Sequence, residues 1–458
     1  MKANRRDLFT NPEALFAAGG RRASARQGQQ PPHNPGQTKP VLVTIFLRGG
    51  WDLMGPLMPY TNCDYTAPGF RNFTLGKPPS ANCELDEVVV LEDGAGMDLE
   101  FGSSCMQPDK WGVPKTCVRF DDVTCSASGG VLTPWDAGDF TYVLQVGSDT
   151  DGQSHFTKMC DMETGTTRDC PFFDGWIGRL LNLLDNDPTT PTVRGLATAP
   201  RRPKSYLGGQ DVIVSTNLST YMLDGPQNPP NVNTYGPAIE SMYKLTNPLE
   251  FIGKATFTGF DWAAQTYSAP YSPAGGAVYT DSSFGQSLLN VAKAFVNSPA
   301  GFCPDIAHLD LGGFDTHSNQ DIFGLSDDSL GRIFQNLFLN LEAFYLDMLG
   351  QGVNFTVMLM SEFGRRAKEN GSSGTDHGKG GLMCLMGPAV RGHQLHGVWN
   401  GVSDAALDSN GDLKVEVDYR QVVAEVLEKH MLLSTSQIQS VFDPNNMGCF
   451  SYVPIGVL

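Results

Sequence analysis

Five short stretches hold the residues able to do chemistry, and most of them join acids or imidazoles to glycine. Gly374-Thr375-Asp376-His377-Gly378 sets a carboxylate beside an imidazole, a short way downstream of Ser361-Glu362-Phe363-Gly364-Arg365. Arg48-Gly49-Gly50-Trp51-Asp52, Ser154-His155-Phe156 and Gly312-Gly313-Phe314-Asp315-Thr316-His317 complete the set. Oxygen and imidazole donors that meet from separate segments make a divalent-cation site, and glycine lets such loops turn toward one another. His377 and Asp376 are read as metal ligands, with Glu362 as the acceptor for the second ring nitrogen. Asp315 and His317, one residue apart, can both face inward. Ser154 is the candidate nucleophile and His155 its activating neighbour. Arg48, Arg365 and Lys379 could hold an anionic group of a substrate. The competing readings are local: Asp315 capping a turn, Ser154 turning a loop, the three cations as surface charges.

These loops need strands to carry them. Val41 to Leu47, Phe140 to Gly147, Ile306 to Leu311, Val353 to Met360 and Leu382 to Met386 are apolar runs of strand length. Three-four spacing predicts helices over Gly175–Leu184, Gln286–Val296 and Ser329–Leu349, and a last helix over Tyr419–Leu432 with Asp418 and Gln421 as its capping box. Strands alternating with helices predict an α/β fold, a mostly parallel sheet with helices on both faces. In such sheets ligands bind beyond the carboxyl ends of the strands, so Asp52, Ser154, Asp315, His317, Glu362, Asp376 and His377 are expected on one edge.

Residues 1–40 read as a flexible arm or a degenerate export signal, since Asn4-Arg5-Arg6-Asp7-Leu8-Phe9 is followed by only a short, interrupted apolar stretch. Residues 41–458 are expected to form one domain, with a Cys-rich insertion at about 61–135 and an irregular cap at about 217–280. Ten cysteines, seven of them from Cys63 to Cys170 and none in a C-x-x-C, predict disulfides and an oxidising compartment rather than a zinc ribbon. The formal net charge of −17 argues against nucleic acid or an anionic membrane as partner. No transmembrane segment is expected. Asp408-Ser409-Asn410-Gly411-Asp412 imitates the start of a calcium loop, but Leu413 and Tyr419 stand where its glycine and closing acid belong, so it is read as a hairpin turn.

The motifs Phe46-Leu47-Arg48-Gly49-Gly50-Trp51-Asp52, Ser154-His155-Phe156, Gly313-Phe314-Asp315-Thr316-His317-Ser318, Ser361-Glu362-Phe363-Gly364-Arg365 and Asp376-His377-Gly378 resemble those of the family called domain of unknown function fifteen-oh-one, over about Val41 to Leu432. That family is distantly similar to the alkaline phosphatase and sulfatase superfamily. The resemblance implies an alkaline-phosphatase-like fold, with Asp52 as the first metal-binding acid and Asp376-His377 as the late pair. It puts Ser154 at the nucleophile position, and Asp315 and His317 at a middle metal or acid-base position. The chain departs from the pattern in having no C-x-P-x-R modification motif and in spacing Asp315 and His317 more closely. The expectation is an exported, metal-dependent hydrolase of a phosphate or sulfate ester, small or polymeric, using calcium, zinc, magnesium or manganese. The alternative is a secreted or cell-surface structural or binding protein that keeps the fold without turnover.

Overall fold

The first strand, β1 (Val41–Leu47), is buried along its whole length, as a strand covered on both faces must be. Val41, Val43, Ile45 and Leu47 enter one hydrophobic core, and Leu42 and Phe46 the other. The structure is a computed structural model and describes residues 39–67, 70–71, 88–104, 107–121, 126–150, 152–166, 171–184, 192–221, 248–327 and 329–458. The expected arm with Arg5 and Arg6 lies outside the described residues.

Eight further strands join β1: β2 (Phe140–Gly147), β3 (Gly195–Thr198), β4 (Val212–Val214), β5 (Ile306–Leu311), β6 (Phe355–Met360), β7 (Gly381–Met386), β8 (Leu395–Gly397) and β9 (Val417–Asp418). Their order is β4-β3-β5-β1-β6-β7-β2-β8, with β9 also paired to β2. The pairings around β1, and those of β3 with β4 and β5, are parallel. Strand β7 alone in this sheet runs antiparallel, to both β6 and β2. The β6–β7 connection therefore returns along the carboxyl edge without a crossover helix, and the loop of residues 361–380 stays beside the loops after β1, β2 and β5.

Helices cover both faces, so the architecture is α/β with a mixed, mostly parallel sheet. On one side lie α4 (Ser283–Asn297) and α5 (Leu330–Gly350), which supply Leu288, Phe295, Phe334 and Leu341 to the core. On the other lie α2 (Trp176–Leu184), α6 (Tyr419–Lys429) and α7 (Thr435–Phe442), with Leu180, Val422 and Ile438. Ser329 starts α5 by accepting from the Arg332 N–H. Among the described residues no helix is long and apolar enough to cross a membrane.

Several expectations need correction. The region expected to be an irregular cap contains a 21-residue helix, α3 (Pro248–Ser268). Its glycines, threonines and aromatic residues are weak helix formers, but burial of Trp262, Ala263 and Thr266 outweighs that propensity. Helix α1 (His155–Thr164) begins where only a polar loop was expected, with Ser154 at its N-cap. Gln421 does not close a capping box: its side chain bonds to Ser451 O and the Val453 N–H. The Asn410-Gly411 turn is closed by Asp408 Oδ1, which accepts from the Asn410 and Asp412 N–H groups, and no strands flank it.

Between β1 and β2 the described chain forms three small two-stranded sheets, Val88–Val90 with Gly112–Pro114, Glu100–Ser104 with Gln107–Lys110, and Arg119–Asp121 with Ser126–Ser128. Cys63 and Cys449 each take part in a disulfide. Cys117 and Cys160, expected in disulfides, are free thiols, as is Cys384. Cys83, Cys105, Cys125 and Cys170 fall outside the described residues.

His430, just after α6, ties that helix to the start of β1, its Nε2 2.8 Å from Val41 O. Burial pushes its pKa down to about 4, although the bond to Val41 opposes the shift. An unfolded histidine titrates near 6.5, so the unfolded chain takes up a proton that the folded chain refuses. Stability is full above about pH 6.5 and falls as the pH drops toward 4, by roughly 3 kcal/mol in all. Denaturant melts at pH 7.5 and pH 5 are expected to differ less in His430→Gln than in the parent. Equal slopes in the two proteins would contradict the assignment.

Candidate metal centre

The loops at the carboxyl edge meet on one atom, Asp315 Oδ1. Arg365 Nη2 donates to it at 2.9 Å, and three imidazole nitrogens surround it: His155 Nε2 at 3.3 Å, His317 Nε2 at 3.2 Å and His377 Nε2 at 3.3 Å. His317 Nε2 also lies 2.9 Å from His377 Nε2. The donor atoms of His155, Asp315 and His377 all lie within 4.8 Å of one another.

Each imidazole has its other nitrogen engaged. His155 Nδ1 is 2.8 Å from Glu362 Oε1, His377 Nδ1 is 2.7 Å from Gln153 O, and His317 Nδ1 is 3.0 Å from Asp376 Oδ1. These partners only accept, so each Nδ1 carries a proton and donates it. That leaves every Nε2 with its lone pair aimed at the common point, the arrangement of histidine ligands tuned by an outer acceptor. Four acceptor atoms this close repel one another unless positive charge lies among them. Around a tetrahedral ion with bonds of about 2.0–2.2 Å, ligand atoms stand roughly 3.3–3.6 Å apart; the contacts of His155 and His377 with Asp315 Oδ1, both 3.3 Å, match that edge, whereas the 2.9 Å between His317 and His377 is shorter.

The backbone explains how the loops come so close. A Cβ on Gly49, at φ +127, would sit 2.3 Å from Asp315 N, and one on Gly374 would sit 2.3 Å from His317 C. The β1 and β5 loops are locked by Phe314 N–H to Arg48 O, and the β5 and β6–β7 loops by Thr375 N–H to Thr316 O. Phe363 forms the floor, its ring centroid 4.8 Å from those of both His155 and His377. Burial depresses the His377 pKa, which keeps Nε2 a free donor near neutral pH. Burial works to raise the Asp315 carboxyl, but the Arg365 guanidinium beside it holds it below its usual range.

Residues 275–442 match the family described as Protein of unknown function (DUF1501). That segment belongs to the DUF1501 family. No curated protein matches the chain. The DUF1501 match is shorter than the Val41–Leu432 span of the motifs. It takes in Asp315, His317, Glu362, Arg365, Asp376 and His377, and leaves His155 and Gln153 to a part of the chain outside it.

The structure thus brings together His155, Asp315, His317, His377 and, one bond further out, Asp376 and Glu362. Asp52 is not among them. Its carboxylate is gripped at 2.6 and 3.0 Å by Arg71 and takes a third bond of 2.6 Å from Gln320, all in the interior. Asp376 faces His317 and the Asn370 amide. Ser154 is exposed, whereas the two ring nitrogens of His155 face Glu362 and Asp315, so His155 does not serve Ser154 as a base. The cations expected to bind substrate are also engaged: Arg48 with Glu163 and Asp310, Lys379 with Asp408. Arg365 is buried against Asp315 and Phe314 O. The Gln153 carbonyl was invisible in the sequence, because every residue has one.

Asp52→Asn removes the counter-charge of a fully buried guanidinium and is expected to cost about 3–5 kcal/mol of stability. The same variant should bind a divalent cation as the parent does. Denaturant melts and equilibrium dialysis read the two properties separately, and loss of the cation in folded Asp52→Asn would restore Asp52 to the ligand set.

Proposed function

We propose that the protein is a divalent-cation-dependent hydrolase of phosphate or sulfate esters, acting outside the cytoplasm. The observation that carries this reading is the convergence of three Nε2 atoms on Asp315 Oδ1 with every Nδ1 held by an acceptor. A divalent cation bound there would supply Lewis acidity and the positive charge that a phosphoryl or sulfuryl oxygen needs.

The chain's own residues would do the rest. Glu362 and the Gln153 carbonyl orient the inner imidazoles. Asp376 holds the His317 ring by Nδ1, so that Nε2, on the exposed side, can hold or release a proton at the substrate. Ser154 presents its hydroxyl at the exposed start of α1 beside His155 and is the candidate nucleophile. An alkaline-phosphatase-like course of the chain, with a Cys-rich insertion at about 61–135, agrees with this chemistry and is part of the same proposal. The disulfides in which Cys63 and Cys449 take part support export.

Aryl phosphates and aryl sulfates give a direct assay. Turnover is expected to need an added divalent cation and to stop with a chelator. Asp315→Asn should lower kcat/KM by more than the roughly 10–100-fold typical of losing an outer partner of a ligand. Ser154→Ala is expected to keep the cation and lose turnover. No cation-dependent hydrolysis across a broad ester panel would contradict the proposal and favour a non-catalytic binding protein.

A further inference from the structure

We propose that the cluster is a nitrogen-dominated site for a single zinc-class ion, held by His155, Asp315 and His377, with His317 facing the remaining position from the exposed side. This deepens the hydrolase reading and rests on it in placing the ion where that reading puts the chemistry. It changes the ligand set expected from the sequence: His155 enters it, and Asp52 and Asp376 leave.

The distribution of oxygens decides the class of ion. Calcium takes six to eight oxygen ligands and magnesium an octahedron of them. Of the three acids expected as ligands, Asp52 is spent on Arg71 and Gln320, and Asp376 on His317 and Asn370. Among the described residues only Asp315 offers a carboxylate oxygen at the point of convergence, against nitrogen from His155 and His377. Two imidazoles and one carboxylate suit zinc, or cobalt in its place, and three protein ligands leave a fourth position for exchange.

Exposure sets the order of the ligands. The His155 and His377 side chains are 19% and 23% exposed, His317 47%. The two inner rings lean on Phe363 and are oriented by Glu362 and the Gln153 carbonyl. His155 Nε2 is buried and makes no hydrogen bond, and the 3.3 Å approach of Asp315 Oδ1 sets it beside the one carboxylate of the cluster.

Cobalt tests this, because a four-coordinate cobalt ion absorbs strongly in the visible and reports its ligands without any turnover. The full chain, stripped with a chelator, is dialysed separately against zinc, cobalt and calcium chlorides. The expected result is one zinc or one cobalt per chain, a strong visible band with cobalt, and no displacement by millimolar calcium. His155→Ala should lose the band, and Glu362→Gln, a change at a positioning residue, should weaken zinc by roughly 10–100-fold. Asp376→Asn should keep both the band and the stoichiometry. Circular dichroism on each variant separates lost ligands from lost folding. Calcium binding in preference to cobalt, or an unchanged cobalt band in folded His155→Ala, would overturn the inference. A cobalt band without ester turnover would retire the hydrolase and keep the ion, whereas turnover supported by calcium alone would retire the ion and keep the hydrolase.

Discussion

The pair of Asp315 and Arg365 is the contact on which the site depends. A guanidinium sealed under the loops fixes one carboxylate oxygen in space, and three imidazoles from different parts of the chain gather round it. Burial alone lowers the Arg365 pKa, and the neighbouring acids Asp315, Asp52 and Glu362 are what keep it charged there. Such a pair contributes little net stability, since desolvation offsets much of the attraction. What it supplies is position: the same guanidinium also holds Phe314 O, so the loop after β5 is fixed by both its backbone and its side chain.

The sheet delivers the other members. A strand run buried on both faces leaves only its ends for chemistry, and β1, β2, β5 and β6 end on one edge. The reversal at β7 keeps the β6–β7 loop at that edge, so Glu362 and Arg365 at its start and Asp376 and His377 at its end serve one centre. Close backbone approach at Gly49 and Gly374 then lets the loops interlock, which side chains at those positions would prevent. Rigidity of this kind is what a preorganised site requires.

Much of this was legible from pattern alone. The boundaries of β1, β2 and β5 are those of the apolar runs, because a strand covered on both faces tolerates few polar residues. The α5 start at Ser329 was legible for the same reason that it is stable, a hydroxyl where the first N–H groups lack partners. Helix α3 was not, because its stability comes from tertiary burial and not from its residues. The clustering of Asp315, His317 and His377 followed from the rule that loops share an edge. The division of roles within the cluster did not follow, because it depends on partners remote in sequence. Asp52 resembles a ligand until Arg71 is seen against it, and His155 resembles a base until Glu362 is seen at one of its nitrogens and Asp315 opposite the other.

Anomalous diffraction at the zinc absorption edge, from crystals of the full chain grown with zinc, tests the central claim most directly. The account predicts one strong peak about 2.0–2.2 Å from Asp315 and from the Nε2 atoms of His155 and His377. A peak beside Asp52, or none at the Asp315 cluster, would contradict it.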